Sequence, residues 1–457
     1  MKMKFKNKIT KELLTFIPGG AHTYSRGPDT YPSNAPAILE KGKGVYIFDE
    51  KGKKYLDYGM CLRAVNIGYA EKSINKAAID AIIKGNNLTR PSTIELKAAK
   101  LLVSLIDKSD MVKFTKNGST SVTAAVKLAR AYTGKKIVLR CAEQPFFSYD
   151  DWFIGSTNIP RGVTDETRKL TKLFHYNDIE SLKKLIRNYK NKVACVVLEP
   201  SSTEHPKIHK KDIRLCKREG NFIDFKKENH FLKQVERVCK ENNIVFILDE
   251  MITGFRWHIK GAQHFYDVSP DISTFGKAMA NGFSVSCISG KKKIMELGSI
   301  TNKKQERVFL LSTTHGAEMN GLSAFIETMK FLKNKNVIKH NWNYGKKLMI
   351  EGNRIAKKFG LEDFFYFSGI ACSPNYNCFD AKKNNSLEFR TLFIQEMLRN
   401  NVLMPWISIA YRHNEKVLDK TLNSLDRTLF VYKKALKNGV KKYLKGHVIK
   451  PVFRRFN

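Results

Sequence analysis

Residues 244–277, IVFILDEMITGFRWHIKGAQHFYDVSPDISTFGK, decide the fold of this chain. They open with the apolar run 244–248, which is short, unbroken and rich in β-forming residues. That pattern predicts a strand that is buried on both faces. The strand ends in two adjacent carboxylates, the first of them Asp249, and a second short strand at 271–275 leads directly to Lys277.

An acid after one strand and a lysine after the next are what a pyridoxal phosphate (PLP) site requires. The acid keeps the pyridine nitrogen protonated, and the lysine amine forms a Schiff base with the cofactor. The alternative is that the acid is a solvated loop residue and that the lysine, one of 81 Lys and Arg residues, is a surface cation. The pair alone leaves both interpretations open.

Composition sets the class of protein. A chain of 457 residues can bury a large core, and its length predicts two or more lobes. Its apolar runs are too short for a membrane-spanning helix or for the core of a signal peptide, so we predict a cytoplasmic protein with no membrane partner. The eight cysteines are scattered without metal-binding spacing, which predicts reduced thiols and no metal site.

The net charge of +38 raises the hypothesis of nucleic-acid binding, because clustered Lys and Arg neutralise phosphates. The lysines are instead spread along predicted exposed helix faces, and no recognised nucleic-acid module accompanies them. We therefore favour a solvated surface that attracts small anionic substrates. A basic binding protein without catalysis is the remote alternative. The basic segment near 207–228 is predicted to be a surface insertion.

Strands and helices alternate between about residues 95 and 330, which predicts an α/β fold with a mainly parallel seven-stranded sheet between helices. The predicted strands are 111–114, 136–140, 193–199, 244–249, 272–274, 284–289 and 308–311. The helices that separate some of them lie near 121–132, 178–188, 229–241 and 318–333. Sites in such sheets form at the carboxyl ends of the strands, where Asp249 and Lys277 both fall.

Three regions make up the predicted domain organisation. Residues 1–70 form an N-terminal arm and part of a small domain, with a short helix, an extended segment that carries Arg26 and a hairpin at 44–57. Residues 71–334 form the large, PLP-binding domain. Residues 335–457 complete the small α+β domain and include a long amphipathic helix near 417–443.

Further side chains at the same sheet edge have two interpretations each. The turn Gly118-Ser119-Thr120 opens a predicted helix, where free backbone N–H groups suit a phosphate, although an ordinary helix cap has the same composition. Thr314 lies in a second hydroxyl-rich turn, with the same alternative. Phe146 could lie on a cofactor ring or pack in the core. Glu199 ends another strand.

Together these residues carry a resemblance. The set Gly118-Ser119, Phe146, Glu199-Pro200, Asp249-Glu250, TGFR, Lys277 and Thr314 resembles the class III, fold type I PLP-dependent aminotransferases. The segments IPGGAHTYSR, GKGVYIFDEKGKKYLDY, LARAYTG, LDEMITGFR and FGKAMANG are similar in particular to glutamate-1-semialdehyde 2,1-aminomutases and aminomutase-like proteins. The resemblance covers nearly the whole chain apart from the insertion near 207–228.

The resemblance implies roles for individual residues. Lys277 would form the Schiff base and move the proton, Asp249 would pair with the pyridinium, and Phe146 would stack on the ring. The implied phosphate site consists of Gly118, Ser119, Thr120 and, from the other subunit of a homodimer, Thr314. Glu199 would also line the cofactor site. Arg26 and Arg63 are the candidates for binding a substrate carboxylate.

The chain departs from the family's pattern at three places. Asn117-Gly118-Ser119 replaces a serine-glycine-threonine turn, Phe146-Phe147-Ser148 replaces tyrosine-histidine-glycine, and Ala317-Glu318-Met319 replaces glycine-asparagine-proline. The forms QPFFSYDDWF, STTHGAE and KPVFRRFN resemble aminomutase-like proteins associated with surface-polysaccharide biosynthesis. Two functions therefore stay open: an aminomutase, or a transaminase that acts on a sugar-derived or other carbonyl.

Overall fold

The computed structural model describes residues 7–201, 205–207, 229–301 and 306–456. Apart from Lys207, the predicted basic insertion lies outside the described residues. The chain divides into two compact units, one built mainly from residues 72–338 and the other from the residues up to Glu71 together with Lys339–Arg454. In the part of the chain that the structure describes, no helix combines the length and the hydropathy needed to cross a membrane.

The strands of the described residues fall into three sheets. In chain order they are β1 (Leu39–Lys43), β2 (Tyr46–Asp49), β3 (Lys54–Asp57), β4 (Met111–Thr115), β5 (Ile137–Cys141), β6 (Thr171–Phe174), β7 (Val193–Leu198), β8 (Val245–Asp249), β9 (Ile272–Phe275), β10 (Ser286–Gly290), β11 (Phe365–Ile370), β12 (Ser373–Cys378) and β13 (Val402–Leu403).

Helices connect and cover these sheets. Those of eight residues or more are Lys8–Phe16, Lys72–Ile83, Thr93–Leu105, Gly118–Thr133, Ile179–Asn188, Phe231–Glu241, Met319–Asn334, Val337–Lys358, Leu387–Arg399 and Glu415–Asn438. Shorter helices are Asp151–Ile154, Asp165–Lys169, Gly261–Tyr266 and Lys292–Met295. Several begin at side chains that accept a backbone N–H, as Asn117 and Asn414 do.

The larger unit contains the predicted mainly parallel seven-stranded sheet, which is confirmed. Its strand order is β4-β10-β9-β8-β7-β5-β6, and β10 is antiparallel to both of its neighbours. Every residue of β5, β7, β8, β9 and β10 is buried. This burial explains the unbroken apolar runs, because helices cover both faces of such a sheet.

The strand predicted at 308–311 is wrong. There the Val308 N–H bonds to the Leu297 carbonyl, the side chain of Leu310 packs over Gly298, and the ring of Phe309 is 64% exposed. The apolar residues of this stretch therefore belong to an irregular connection and not to a strand. The seventh strand is instead β6, an edge strand whose two outer residues are buried and whose two central residues are accessible, and its four residues are too few to stand out in the sequence.

The smaller unit has its own apolar core, in which residues from both ends of the chain pack together, among them Leu56, Phe365, Phe393 and Tyr432. The predicted hairpin is confirmed as β2 and β3, and β13 extends their sheet in parallel with β3. The segment predicted to be extended around Arg26 is instead coiled into short 3-10 turns, because Pro and Gly residues punctuate it.

Candidate functional site

Asp249 ends β8 in the larger unit, and its side chain is 3% exposed. Its Oδ1 atom accepts hydrogen bonds from the Met251 N–H at 3.0 Å and from the Thr274 hydroxyl at 3.0 Å. Burial raises the pKa of Asp249 to about 6, and these hydrogen bonds and the positive charge of Lys277 oppose that rise. The structure therefore brings the predicted acid and the predicted lysine into electrostatic contact.

Lys277 follows β9 in a strained backbone conformation, with a φ of +43°. For a residue with a side chain this conformation costs roughly 1–2 kcal/mol, and such strain concentrates at functional sites. Gly276 precedes it because a Cβ atom there would lie 2.5 Å from the Ser286 hydroxyl and 2.6 Å from the Met251 sulfur. The turn that presents Lys277 is thus closely packed.

Met251 also contacts the predicted phosphate turn. A Cβ atom added at Gly118 would lie 2.9 Å from the Met251 sulfur, so the side chain of Met251 packs between the Gly118 turn and the Lys277 turn. Sequence reasoning missed both Met251 and Thr274. Their signal was position alone, since Met251 follows the two acids directly and Thr274 pairs with Asp249 across β8 and β9.

The helix Gly118–Thr133 begins at the predicted phosphate turn. The Asn117 side chain caps it, because its Oδ1 atom accepts the Thr120 N–H at 2.9 Å and the Thr120 hydroxyl at 3.0 Å. The Ser119 hydroxyl is buried and accepts the Tyr149 N–H at 3.2 Å. A long helix that begins with small polar residues offers backbone donors and a positive dipole end to a phosphate.

The loop after β5 carries two phenylalanines with different surroundings. Phe147 is buried, whereas the ring of Phe146 is 47% exposed and meets the Phe153 ring edge-on at 5.8 Å. The Asp150 carboxylate and the Ser148 hydroxyl both bond to the Thr123 hydroxyl, which ties this loop to the phosphate helix. Phe146 is therefore the one of the two that has an accessible face.

Glu199 lies just after β7 and is buried. The side-chain amide of Gln144 spans its backbone, donating to the Glu199 carbonyl at 2.8 Å and accepting from the Glu199 N–H at 2.8 Å. This pair of bonds fixes the loop after β5 against the end of β7. The predicted residues at or just after the ends of β5, β7, β8 and β9 thus lie at the carboxyl ends of these parallel strands.

Glu250 is a buried carboxylate whose hydrogen bonds stabilise the loop that follows Asp249. It accepts the Thr253 hydroxyl at 2.7 Å and the backbone N–H groups of Ala262 and Gln263 at 2.8 and 2.7 Å. Burial raises its pKa to about 7. These bonds close the loop that follows Asp249, so Glu250 holds the backbone on which the acid stands.

Thr314 is the residue predicted to reach the phosphate of a partner subunit. It is exposed in the connection before Met319–Asn334, where its carbonyl accepts the Asn87 side-chain amide at 2.8 Å. Lys116 and Glu318 form an ion pair beside it. Among the described residues, no hydrogen bond joins the Thr314 side chain to Ser119 or Thr120.

Arg26 and Arg63 belong to the smaller unit, where the structure brings Arg26 to the turn that contains Arg63. The Arg26 guanidinium donates to the Cys61 sulfur at 3.2 Å. The turn Met60–Arg63 is left-handed, since its four φ angles run from 41° to 68°. No glycine relieves this conformation, which costs roughly 1–2 kcal/mol per residue.

Asp57 and Tyr69 brace the left-handed turn. Asp57 is 4% exposed, and its Oδ1 atom accepts the Gly59 N–H at 2.7 Å. Its Oδ2 atom accepts the Met60 N–H at 3.0 Å and the Tyr69 hydroxyl at 2.7 Å. Burial raises the pKa of Asp57, and the three hydrogen bonds oppose that rise because they favour the carboxylate.

The residues of the larger unit fit pyridoxal phosphate. A buried acid, an amine beside it, a helix start for the phosphate and an accessible aromatic face are the four groups that this cofactor needs. The strained turn at Lys277 and the close packing around Gly118 and Gly276 show a site that is held rigid.

Comparisons with known proteins agree. The model of the family described as aminotransferase class-III matches residues 30–362. The chain is 28% identical over 440 residues to the 3-aminobutyryl-CoA aminotransferase of Cloacimonas acidaminovorans, covering 95% of this chain and 99% of that protein. It is 27% identical over 438 residues to the glutamate-1-semialdehyde 2,1-aminomutase of Francisella philomiragia, covering 91% of this chain and 95% of that protein.

Among solved structures, the chain is similar to the FumI protein of Sphingopyxis sp. MTA144 in its PLP-bound form. The TM-score is 0.81 at 21% identity, and the match covers 97% of this chain and 99% of that chain. The fold is therefore that of the fold type I PLP-dependent transaminases. Pyridoxal 5'-phosphate is the cofactor that this family and this fold use.

Proposed function

The chain belongs to the class III aminotransferases, and from this premise we propose that it moves an amino group with PLP bound at Lys277. The observation that carries the proposal is the bond between Asp249 and Thr274, which places a buried acid beside the strand that presents the lysine. Bound PLP supplies an electron sink for a substrate carbanion.

Lys277 both attaches the cofactor and moves the proton at the substrate carbon. Only the neutral amine can do either, because a protonated amine has no free electron pair. Asp249 holds a proton on the pyridine nitrogen, because a buried carboxylate favours a cationic partner. Thr274 orients Asp249, and Glu250 holds its loop.

The remaining cofactor contacts follow from the turns around Asp249. Gly118, Ser119 and Thr120 bind the phosphate through the start of their helix. Phe146 would lie against the ring with its accessible face, and Glu199, which follows β7, would line the site.

A homodimer completes this proposal, with Thr314 binding the phosphate of the partner subunit. The larger unit exposes an apolar face on two of its helices, where Ile79, Ile83 and Leu96 are 54%, 78% and 58% exposed. Ile79 and Ile83 lie one turn apart on the same helix, and large apolar side chains exposed side by side mark an interaction surface. A second copy of the chain covering this face would remove them from water and bring in Thr314.

The reaction that we favour is that of an aminomutase, which shifts the amino group between adjacent carbons of one substrate. The alternative is a transaminase that moves the amino group of an amino acid to a sugar-derived or other carbonyl. Ser148 and Glu318 favour the alternative, because they stand at departures from the aminomutase pattern and are committed to bonds with Thr123 and Lys116. In both versions the substrates are small anions that the basic protein attracts in the cytoplasm.

One experiment separates the two reactions. The PLP-loaded protein is given glutamate-1-semialdehyde, and separately glutamate or alanine without an acceptor, and the cofactor spectrum and products are followed. Conversion of the semialdehyde to 5-aminolevulinate without release of a keto acid supports the aminomutase. Stoichiometric keto acid with no isomerisation supports the transaminase. No reaction of any donor would contradict the proposed function.

A further inference from the structure

The first turn of the helix Gly118–Thr133 carries two hydroxyl groups whose protons are used differently. The N–H and the hydroxyl of Thr120 both donate to the Asn117 Oδ1 atom, at 2.9 and 3.0 Å. The Ser119 hydroxyl instead accepts the Tyr149 N–H at 3.2 Å, and no acceptor among the described residues takes its proton. At this turn Ser119 can therefore give a proton to a phosphate, whereas the Thr120 proton is committed to the helix cap.

Tyr149 brings a third hydroxyl to the same turn. Its N–H is bonded to Ser119, and its hydroxyl oxygen lies 3.4 Å from the hydroxyl oxygen of Thr120. That distance exceeds the ordinary range of about 2.5–3.0 Å for an O–H···O bond, so the contact holds the phenol weakly. Tyr149 is 59% exposed, and its hydroxyl has no other partner in the part of the chain that the structure describes. The phenol proton is therefore available to an acceptor beside Thr120.

The chain on both sides of Tyr149 is anchored to the same helix. Ser148 and Asp150 both bond to the hydroxyl of Thr123, which lies in the next turn. The same hydroxyl accepts the indole N–H of Trp152 at 2.9 Å. Because both of its neighbours are anchored, the Tyr149 backbone cannot leave the start of the helix without breaking these bonds.

We infer that Tyr149 binds the phosphate of the cofactor together with Ser119, and that its hydroxyl replaces the donor that Thr120 gives to Asn117. The inference rests on the proposed function and adds a residue to its phosphate site. Hydrogen bonds to an ionised acceptor are shorter and stronger than those between neutral groups. The phenol therefore exchanges a weak contact with a neutral hydroxyl for a strong bond to an anion.

The same helix supplies a matched control. Tyr132 lies in its last turn, at the end opposite to the phosphate turn, and is 40% exposed. Tyr132→Phe thus removes the same group as Tyr149→Phe from a comparably accessible position. Tyr149→Phe leaves the backbone N–H and its bond to Ser119 in place, so it isolates the effect of the phenol hydroxyl.

The test compares PLP with pyridoxal, which keeps the ring and the aldehyde but lacks the phosphate. The full-length protein is freed of cofactor and titrated with each compound, and absorbance gives the two dissociation constants. The dissociation constant of pyridoxal divided by that of PLP is the preference for the phosphate, measured without turnover. We expect Tyr149→Phe to lower this preference by about tenfold, the equivalent of one hydrogen bond to a charged group. Pyridoxal binding should not change.

The outcomes separate phosphate binding from packing. An unchanged preference in Tyr149→Phe would overturn the inference. Equal weakening of PLP and pyridoxal would also overturn it, because such a loss does not involve the phosphate. So would the same loss of preference in Tyr132→Phe. A lowered preference in Tyr149→Phe, together with no amino transfer by the wild type from any donor, would contradict the proposed function alone.

Discussion

The Thr274 hydroxyl donates a 3.0 Å hydrogen bond to Asp249, and Thr274 lies on β9, three residues before Lys277, which follows that strand. One strand therefore orients the acid and presents the lysine. Because the two strands pair in register at these residues, a displacement of either strand changes both groups together. In the proposed site, this one pair of strands would hold both the group for the cofactor's nitrogen and the group for its aldehyde carbon.

Replacing Lys277 by Ala should lower turnover by about 10³-fold or more, since the variant loses both its attachment and its acid–base group. PLP should still bind, because the phosphate turn and Asp249 remain. Mass spectrometry after borohydride reduction should show a pyridoxyl adduct in the wild type only. The exposed Lys292→Ala is the control and should keep both adduct and activity. Near-normal turnover in Lys277→Ala would refute the assignment.

The variant Asp249→Asn should lower kcat/KM by about 10²–10³-fold, because a neutral amide cannot keep the ring nitrogen protonated. Asp271→Asn is the matched control. Asp271 lies at the other end of the same two strands and accepts the Phe246 N–H at 2.9 Å. Steady-state kinetics and thermal melting distinguish the two variants. Loss of folding in place of loss of rate would count against the role of Asp249.

Stability of the cofactor-free protein should depend on pH through Asp249. Its pKa is about 6 in the folded state against an ordinary value of 3.8, so the native state holds a proton that the unfolded chain releases. Relative to Asp249→Asn, the wild type should lose stability as pH rises from about 4 to 6, by about 3 kcal/mol in total. Urea titrations of both proteins measure this. Parallel pH profiles would mean that the carboxyl titrates normally.

Glu250→Ala should destabilise the protein, because it leaves the buried N–H groups of Ala262 and Gln263 without an acceptor, at about 1–3 kcal/mol each. Glu250→Gln keeps one carbonyl oxygen and should lose less. Chemical denaturation followed by circular dichroism gives both values. Equal stability of the Ala and Gln variants would show that these bonds do not support the loop.

The apolar face of the larger unit should control assembly. Light scattering should give the wild type twice the 52.4 kDa mass of the chain. The double variant Ile79→Lys, Ile83→Lys should shift toward the mass of one chain and lose activity, since lysine cannot be desolvated at an interface. Leu173→Lys on β6 is the control for an exposed apolar residue elsewhere. An active monomer would contradict the shared phosphate site.

The sequence predicted the buried strands β5, β7 and β8 well, because short, unbroken apolar runs rich in β-forming residues are typical of strands buried on both faces. The strand predicted at 308–311 is wrong, because an apolar run does not show whether its backbone can form hydrogen bonds with a neighbouring strand. The left-handed turn Met60–Arg63 had no signal at all, because no glycine marks it and its hold comes from Tyr69 and Asp57. The predicted roles of all the site residues, those of Lys277 and Asp249 included, stay predictions.

The reversed direction of β10 has a consequence for engineering the enzyme. Since β10 runs against β9, the chain that leaves the Lys277 turn re-enters the sheet from the same end of these strands, after a connection of ten residues, 276–285. A loop inserted there would push directly on the lysine, and Gly276 has no room for any side chain. New specificity is better grafted elsewhere on that edge, on the connections after β5 and β7, whereas the opposite edge can accept fusions and chain breaks.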